Sequence, residues 1–569
     1  MHSNKHLLLY LLLSLSFFAS AQQENLRLNR NMMLSYEKYL YGWDKASFHT
    51  SVKPYNASEV YKFVYPDTVQ HLQRVPHTNW FSKFVNVFGF ENLLEFDEHG
   101  YVKHYGKTLA KDSVYYDDIL WDNGYKPRKA YVAINPILNI GFGYDLSAKK
   151  LLSYNLKGLE IRADIGKKVT LYTAFLNTVG KFPTYVNIYN LQTGAVPGEG
   201  NIRNRGKSGL DFSSITAYIS YSPVKQFNMQ IGNGKHFIGD GYRSLFLSDN
   251  SYTYPYLQFT TNVWRIKYVN IFAELIDNLK NFNDFGAGFP RKLATFNYLS
   301  VDAAKWLQLG VFEGITWRRT TNNGNNFFDY NFLNPLIGVR AFQKKLDPNT
   351  TKVYGLNAKV NLPKYIVLYG QFMINHWGKK NTSDRRTGWQ AGAKYFDVGG
   401  IKNLNFQVEY NSVRPYSYQG EDSAIGYAHY NQSLGHPMGA NFNELLVMVN
   451  YQYKRWYASY KMSYIQTATD TAINQNYGNN ILDIGSAATT TTGVKIQNGF
   501  AYNVVDHDIR AGYIINPKIN MVVEGKLQFR KYTSKAIGAS TTTTLKSNSF
   551  MISFATNIFN RYYDLPVLF

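Results

Sequence analysis

The 569-residue chain contains no cysteine. That absence excludes disulfide frameworks, thiolate-ligated zinc, iron–sulfur clusters and thiol nucleophiles. Charge is sparse at 18% of residues, too little for a disordered polyelectrolyte. Beyond the N-terminal leader, no apolar run approaches the roughly 20 residues that a membrane-crossing helix requires. Glycines cluster at 232–241, but no Gly-Lys-Ser/Thr follows them, so they do not form a nucleotide cradle. No nucleophile elbow is present, and no catalytic residue or cofactor is assigned.

What is abundant is aromatic and basic. Phe, Trp and Tyr make up 16% of the chain, and 61 Lys and Arg against 39 Asp and Glu leave a net charge of +22. Residues 1–21 read as a secretory signal: Lys5 precedes an apolar stretch from Leu7 to Phe18, and Ala19-Ser20-Ala21 supplies the small-x-small cleavage site. An exported, aromatic-rich chain without a membrane helix is either a soluble protein or a transmembrane β-barrel, and periodicity decides between them. Residues 22–127 are mixed in texture, with a helical rhythm at Leu28, Met32, Leu34 and Tyr39, and read as a small N-terminal segment on the periplasmic side.

From residue 128 to 569 the period is two. Leu404, Phe406, Val408 and Tyr410 oppose Asn405, Gln407, Glu409 and Asn411, and Val523, Leu527 and Phe529 oppose Glu524, Lys526, Gln528 and Arg530. Strands of about ten residues with one apolar and one polar face are what a tilted span of the bilayer requires. Tight connections such as Tyr453-Lys454-Arg455-Trp456 alternate with long ones at 183–213, 414–443 and 466–495, matching the periplasmic and extracellular edges of an outer-membrane barrel. The fold class is therefore all-β, a transmembrane antiparallel barrel. Twenty candidate strands can be marked, among them 334–343, 495–505, 507–516 and 547–562. Merging brings the expected count to about 18. The aromatics Phe550, Phe554, Phe559, Tyr562 and Phe569 suit a C-terminal insertion signal. Glu313 misfits, falling on the apolar face with Leu309 and Val311, so a bulge is expected before it that turns it into the lumen.

Two loops hold the candidate site residues. One contains Arg243 and Asp249; the other contains His429, Asn431, His436 and Asn441. Two histidines seven apart, with no third ligand at metal spacing, argue against a metal site. These side chains can hydrogen-bond the loop to itself or can stack on and bond to sugar rings. Along the inward faces, Lys359, Lys394, Lys461, Glu524, Lys526 and Arg530 carry lumen charge. A positive field favours polyanions. Outside the cell these are acidic polysaccharide or the headgroups of lipopolysaccharide and other outer-membrane lipid rather than nucleic acid.

GDGYRSLFLSDN (239–250), EYNSVRPYSY (409–418) and HYNQSLGHPMGANFNEL (429–445) resemble the capsule-assembly Wzi family, and most closely its branch that includes the gliding-motility protein RemB. The resemblance covers the chain from about residue 128 onward. It implies an 18-stranded outer-membrane barrel that is not an enzyme, that binds or helps assemble capsular or exopolysaccharide, and that supports gliding together with motility or envelope proteins. The alternative is an outer-membrane porin or oligosaccharide channel.

Overall fold

The structure, a computed structural model, describes residues 37–38, 40, 48–56 and 130–556, the last span apart from 166–167, 201, 205, 207–208, 277–290, 320–329, 340–349, 377–385, 421–424, 471–474, 484–494, 498, 517–520 and 536–541. The signal segment 1–21, most of 22–127 and Phe559, Tyr562 and Phe569 lie outside the described residues.

Eighteen long strands among the described residues close into one antiparallel barrel. The first six are β1 (Ala130–Asp145), β2 (Lys150–Ile165), β3 (Val169–Lys181), β4 (Leu210–Val224), β5 (Phe227–Gly234) and β6 (Tyr254–Val263). Then come β7 (Ile266–Ile276), β8 (Arg291–Ala304), β9 (Leu307–Arg318), β10 (Thr350–Leu362), β11 (Ile366–His376) and β12 (Arg386–Tyr395). The circuit ends with β13 (Leu404–Val413), β14 (Phe442–Tyr453), β15 (Trp456–Thr469), β16 (Phe500–Asn516), β17 (Met521–Lys535) and β18 (Thr542–Thr556). Closure comes from β1 pairing with β18, Leu138 opposite Thr556 through Asp145 opposite Ser549.

The pleat sorts side chains by solvent. Leu368, Phe372, Leu527 and Phe529 are exposed on the outer wall, while Tyr369, Gln371, Gln528 and Arg530 are buried inside. Short turns gather at one end, where exposed Trp264, Trp306, Tyr365, Tyr453 and Trp456 stand in or beside them. Aromatic side chains at such a level form the girdle of a membrane interface. Long loops leave the other end, and one of them carries helix α1 (Thr184–Thr193).

The twenty candidate strands become eighteen for two physical reasons. The candidates 495–505 and 507–516 join into β16 from Phe500 onward, because Asp506, which stood between them, is strand: Asp506 and Asp508 both face the lumen and His507 meets Tyr460 at 2.9 Å. The candidate strand 334–343 is not borne out over its described part, 334–339; residues 340–343 lie outside the described residues. A turn of 3-10 helix at Tyr330–Leu333 leads there into irregular chain.

That segment also corrects the expectation for Glu313. Pairing of β9 with β8 and β10 runs unbroken through Glu313, so no bulge precedes it and it stays on the outward face. It is nevertheless fully buried. Across three strands Asn270 donates to Asn297 (2.8 Å) and Asn297 donates to Glu313 (3.1 Å). Over this wall lies the 330–339 segment. Phe332 packs with Phe272, Leu293, Ile315 and Trp317. Thr295 donates to the Phe332 carbonyl (2.9 Å), Asn270 and Tyr268 donate to that of Pro335, and the Ile337 N–H donates to Tyr268 (3.2 Å). Irregular backbone is tolerated at membrane depth only where protein satisfies its polar groups, and the polar wall residues do that here. The carboxylate is thus kept from lipid by a strap laid over it, not by a twist of the strand.

Phe332→Ala should therefore loosen the strap and cost about 3 kcal/mol. Leu336→Ala, at a side chain 59% exposed, should cost less than about 0.5 kcal/mol. The temperature at which the folded band shifts on unheated versus heated gels reads both, and equal effects would mean that the strap is not seated on the wall.

Candidate functional site

Three segments meet inside the barrel. The N-terminal stretch 48–56 lies against β7 to β12 near the short turns: Lys359 donates to the Phe48 carbonyl (3.1 Å) and to Thr50 (2.8 Å), and Ser300 meets His49 at 2.6 Å. Val52–Lys53 pairs with Phe237–Ile238, extending the loop between β5 and β6 as a two-stranded sheet in the lumen. Asp240 is the knot, accepting from Thr50 (2.6 Å), Ser51 (2.7 Å) and Asn357 (2.9 Å). Burial alone would raise its carboxyl, but Lys359, Lys53 and these donors bring it down to about 2.

Beyond Asp240, the loop is held by two wall carboxylates. Glu409 on β13 accepts the backbone N–H groups of Tyr242 (2.6 Å) and Arg243 (3.0 Å) and the Tyr369 hydroxyl (2.8 Å). Glu444 on β14 accepts from Arg243 (3.2 Å), Ser463 (2.9 Å), Asn411 (3.2 Å) and His436 (2.8 Å). The other ring nitrogen of His436 accepts the Met438 N–H (3.2 Å), which sets the tautomer with its proton toward Glu444. The loop between β13 and β14 then packs on the first. Ser248 donates to the Gly435 carbonyl (2.6 Å), Tyr418 to that of Leu245 (2.7 Å) and Tyr427 to that of Phe246 (2.8 Å).

Five of the six residues proposed to touch glycan, Arg243, Asp249, His429, His436 and Asn441, are buried. His429 accepts the Ile276 N–H (2.9 Å) and faces the Thr253 carbonyl (3.3 Å), and Asn441 accepts the Gln497 N–H (2.8 Å). Asn431 is half-buried and donates to the Thr193 carbonyl at the end of α1 (3.0 Å). The motif loops thus bond to each other and to the wall. The charged side chains of the inward faces have these partners: Lys394 contacts Glu37, Lys461 reaches Tyr242 (3.4 Å), Lys526 pairs with Asp508 (3.2 Å), Arg530 stands 3.9 Å from Asp506, and Glu524 accepts from Tyr457 (2.8 Å).

At the rim, above this plug, the exposed chemistry is different. Arg291, 57% exposed, pairs with Glu274 (2.6 Å), which Arg319 meets from its other side. The Tyr430 N–H donates to Ile276 (3.0 Å), the ladder partner of Arg291. Tyr430 and Tyr252 meet edge to face with ring centroids 5.1 Å apart, both half-buried. Two guanidiniums beside a pair of accessible tyrosines can meet a carboxylate or phosphate and an apolar ring face together. Nothing in the sequence singled these residues out, since Glu274 and Arg319 lie at strand ends on opposite sides of β8 and Tyr252 is 178 positions from Tyr430.

The chain matches no protein-family model and no curated protein sequence. Among solved structures it is similar to Wzi of Escherichia coli, an outer-membrane protein involved in group 1 capsule assembly and described as a carbohydrate-binding β-barrel. The TM-score is 0.52 at 12% identity, over 93% of this chain and 98% of that one. The fold is shared. Pseudomonas aeruginosa OpdQ superposes more loosely, with a TM-score of 0.40 at 9% identity over 75% of this chain and 99% of that one.

Removing one partner of a buried charge cluster leaves the others uncompensated, so Glu444→Ala should cost about 3–5 kcal/mol. Loss of the heat-modifiable folded band tests it, and a folded band of unchanged heat stability would show that Arg243 and His436 do not depend on this carboxylate. The histidines predict an acid response. Burial lowers His429 to about 3 and His236 to about 4, from an ordinary value of 6.5. Their neutral forms stabilise the fold above 6.5, and that contribution is lost as pH falls from there toward 4. In His429→Gln, which keeps a donor and an acceptor, the fall in melting temperature over this window should be shallower. An unchanged slope would place the acid sensitivity elsewhere.

Proposed function

We propose that the chain is a non-enzymatic outer-membrane protein that retains or helps assemble acidic surface polysaccharide at its rim. The observation that carries this reading is the plug. Two long loops and the N-terminal stretch fill the lumen and cross-bond it, which suits a barrel that presents a surface more than one that passes solutes. The net charge of +22 and the Arg291, Arg319, Tyr252 and Tyr430 cluster suit an acidic glycan or a lipopolysaccharide headgroup. The similarity to Wzi, itself a carbohydrate-binding barrel, supports the same assignment. Within that family we place the chain with the RemB-like branch, where it supports gliding through motility or envelope proteins. Cleavage after Ala21 delivers it to the periplasm for insertion.

One observation favours a channel instead. Arg510, Glu524 and Lys526 on β16 and β17 stay partly exposed in the lumen near the short turns, with side-chain exposures of 33%, 22% and 21%. Single-channel conductance separates the readings, because a plugged barrel conducts little.

Deleting the gene should move polysaccharide from the cells into the medium at unchanged total. Unchanged retention would overturn the assembly reading. In the complemented strain, Arg291→Ala with Arg319→Ala and Tyr430→Ala should reproduce the shedding with heat stability close to wild type. Retention at wild-type level in this variant would move the contact surface off the rim.

A further inference from the structure

We propose that the lumen contains a binding site for a small hydroxylated oxyanion, with inorganic phosphate as the ligand, formed by Asp506, Arg530 and Ser547. These residues are neighbours across the sheet. Asp506 on β16 lies opposite Arg530 on β17, which lies opposite Ser547 on β18. All three point inward and are at most 2% exposed. Among the described residues, none of the three guanidinium nitrogens of Arg530 has a hydrogen-bond partner, and neither does Oδ2 of Asp506 nor the Ser547 hydroxyl.

The surroundings hold these groups in place without saturating them. The Tyr185 ring of α1 lies 4.7 Å from the guanidinium carbon, orienting the fork by its face. Tyr185 donates to Gln528 (3.2 Å), and Gln528 donates to Oδ1 of Asp506 (3.0 Å), leaving Oδ2 turned away from that bond. Arg530 and Asp506 approach only to 3.9 Å, too far for a hydrogen bond. Lower on the same wall the cations are differently placed: Arg510 donates twice to Asp508 (2.7 and 3.0 Å), and Lys526 pairs with it at 3.2 Å. A guanidinium buried with its donors unmet is strongly unfavourable, so Arg530 is built to meet an acceptor that the described residues do not provide.

The chemistry of that acceptor follows from the three groups. Arg530 and Ser547 supply donors, which call for oxyanion oxygens. Oδ2 of Asp506 supplies an acceptor, which calls for a hydroxyl on the same ligand. Phosphate below full ionisation has both. Sulfate has no proton to give and would set a lone pair against the aspartate. Lys461, on β15 opposite Asp508, adds a second positive charge beside Asp506, so a singly charged ligand balances the group. The near-complete burial suits a free ion and not a polymer or a lipid headgroup.

Titration calorimetry on the purified full-length barrel in detergent tests this, with inorganic phosphate and sodium sulfate as probes. Phosphate should bind, with sulfate weaker by at least about tenfold. Arg530→Gln should weaken phosphate by at least about tenfold. Asp506→Asn should narrow the gap between the two anions. In Arg291→Ala with Arg319→Ala, any phosphate taken up by the rim guanidiniums should be lost while the site that prefers phosphate to sulfate remains, which separates the two. No phosphate binding by the wild type, equal affinity for sulfate, unchanged affinity in Arg530→Gln, or displacement of phosphate by lipopolysaccharide micelles would each overturn the proposal. If Arg530→Gln does not fold, Arg530→Lys decides. It keeps the charge without the fork, so several-fold weaker binding is expected and unchanged affinity overturns the site.

Discussion

Two buried carboxylates, Glu409 and Glu444, hold the interior of this barrel together. A wide barrel has more lumen than its own inward side chains can fill, and polar groups facing that space must find partners in loops, in water or in ligands. Here the loops enter. Glu409 takes the backbone of Tyr242 and Arg243, and Glu444 takes the side chains of Arg243 and His436. Because one loop supplies the arginine and the other the histidine, the same pair of strands fixes both at once. The aromatic packing above them, such as Phe246 stacked on Phe312 at 4.9 Å, depends on that placement.

The same constraint acts on the outside with opposite sign. The outer wall faces an apolar solvent, so a polar cluster such as Asn270, Asn297 and Glu313 requires a cover. The strap over it presents Leu333, Leu336 and Val339 outward and meets the wall with its backbone polar groups. Inside, carboxylates recruit a loop to fill space. Outside, a carboxylate is sheltered by one. Both devices turn long loops into parts of the barrel, and what remains exposed at the rim is a smaller surface.

The division of roles follows from burial. Residues in the GDGYRSLFLSDN and HYNQSLGHPMGANFNEL segments carry the resemblance to the Wzi family, yet most are engaged with one another below the rim. A motif of this kind marks how the lumen is closed. It also places side chains at the rim, such as Tyr430, whose backbone follows from the seating of His429 on β7.

Alternation along single strands was enough, from sequence, to establish the β-barrel and to set Lys359, Lys394, Lys461, Lys526 and Arg530 on the polar faces of their strands, because a period of two is a local property of the chain. The count of eighteen strands was legible, and local texture misled only over which candidate segments made it up. Asp506 falls between two candidate strands until the lumen on one side explains its charge, and 334–339 reads as part of a strand until the wall beneath it explains its apolar residues. Glu313 could be recognised as a misfit but not resolved, since its shelter comes from a strap some twenty residues later in the chain. The rim cluster and the Asp506, Arg530 and Ser547 site were beyond reach for the same reason. Their members come from separate strands and loops, and only closure of the barrel and the folding of its loops decide which side chains converge and which are left with bonds still to make.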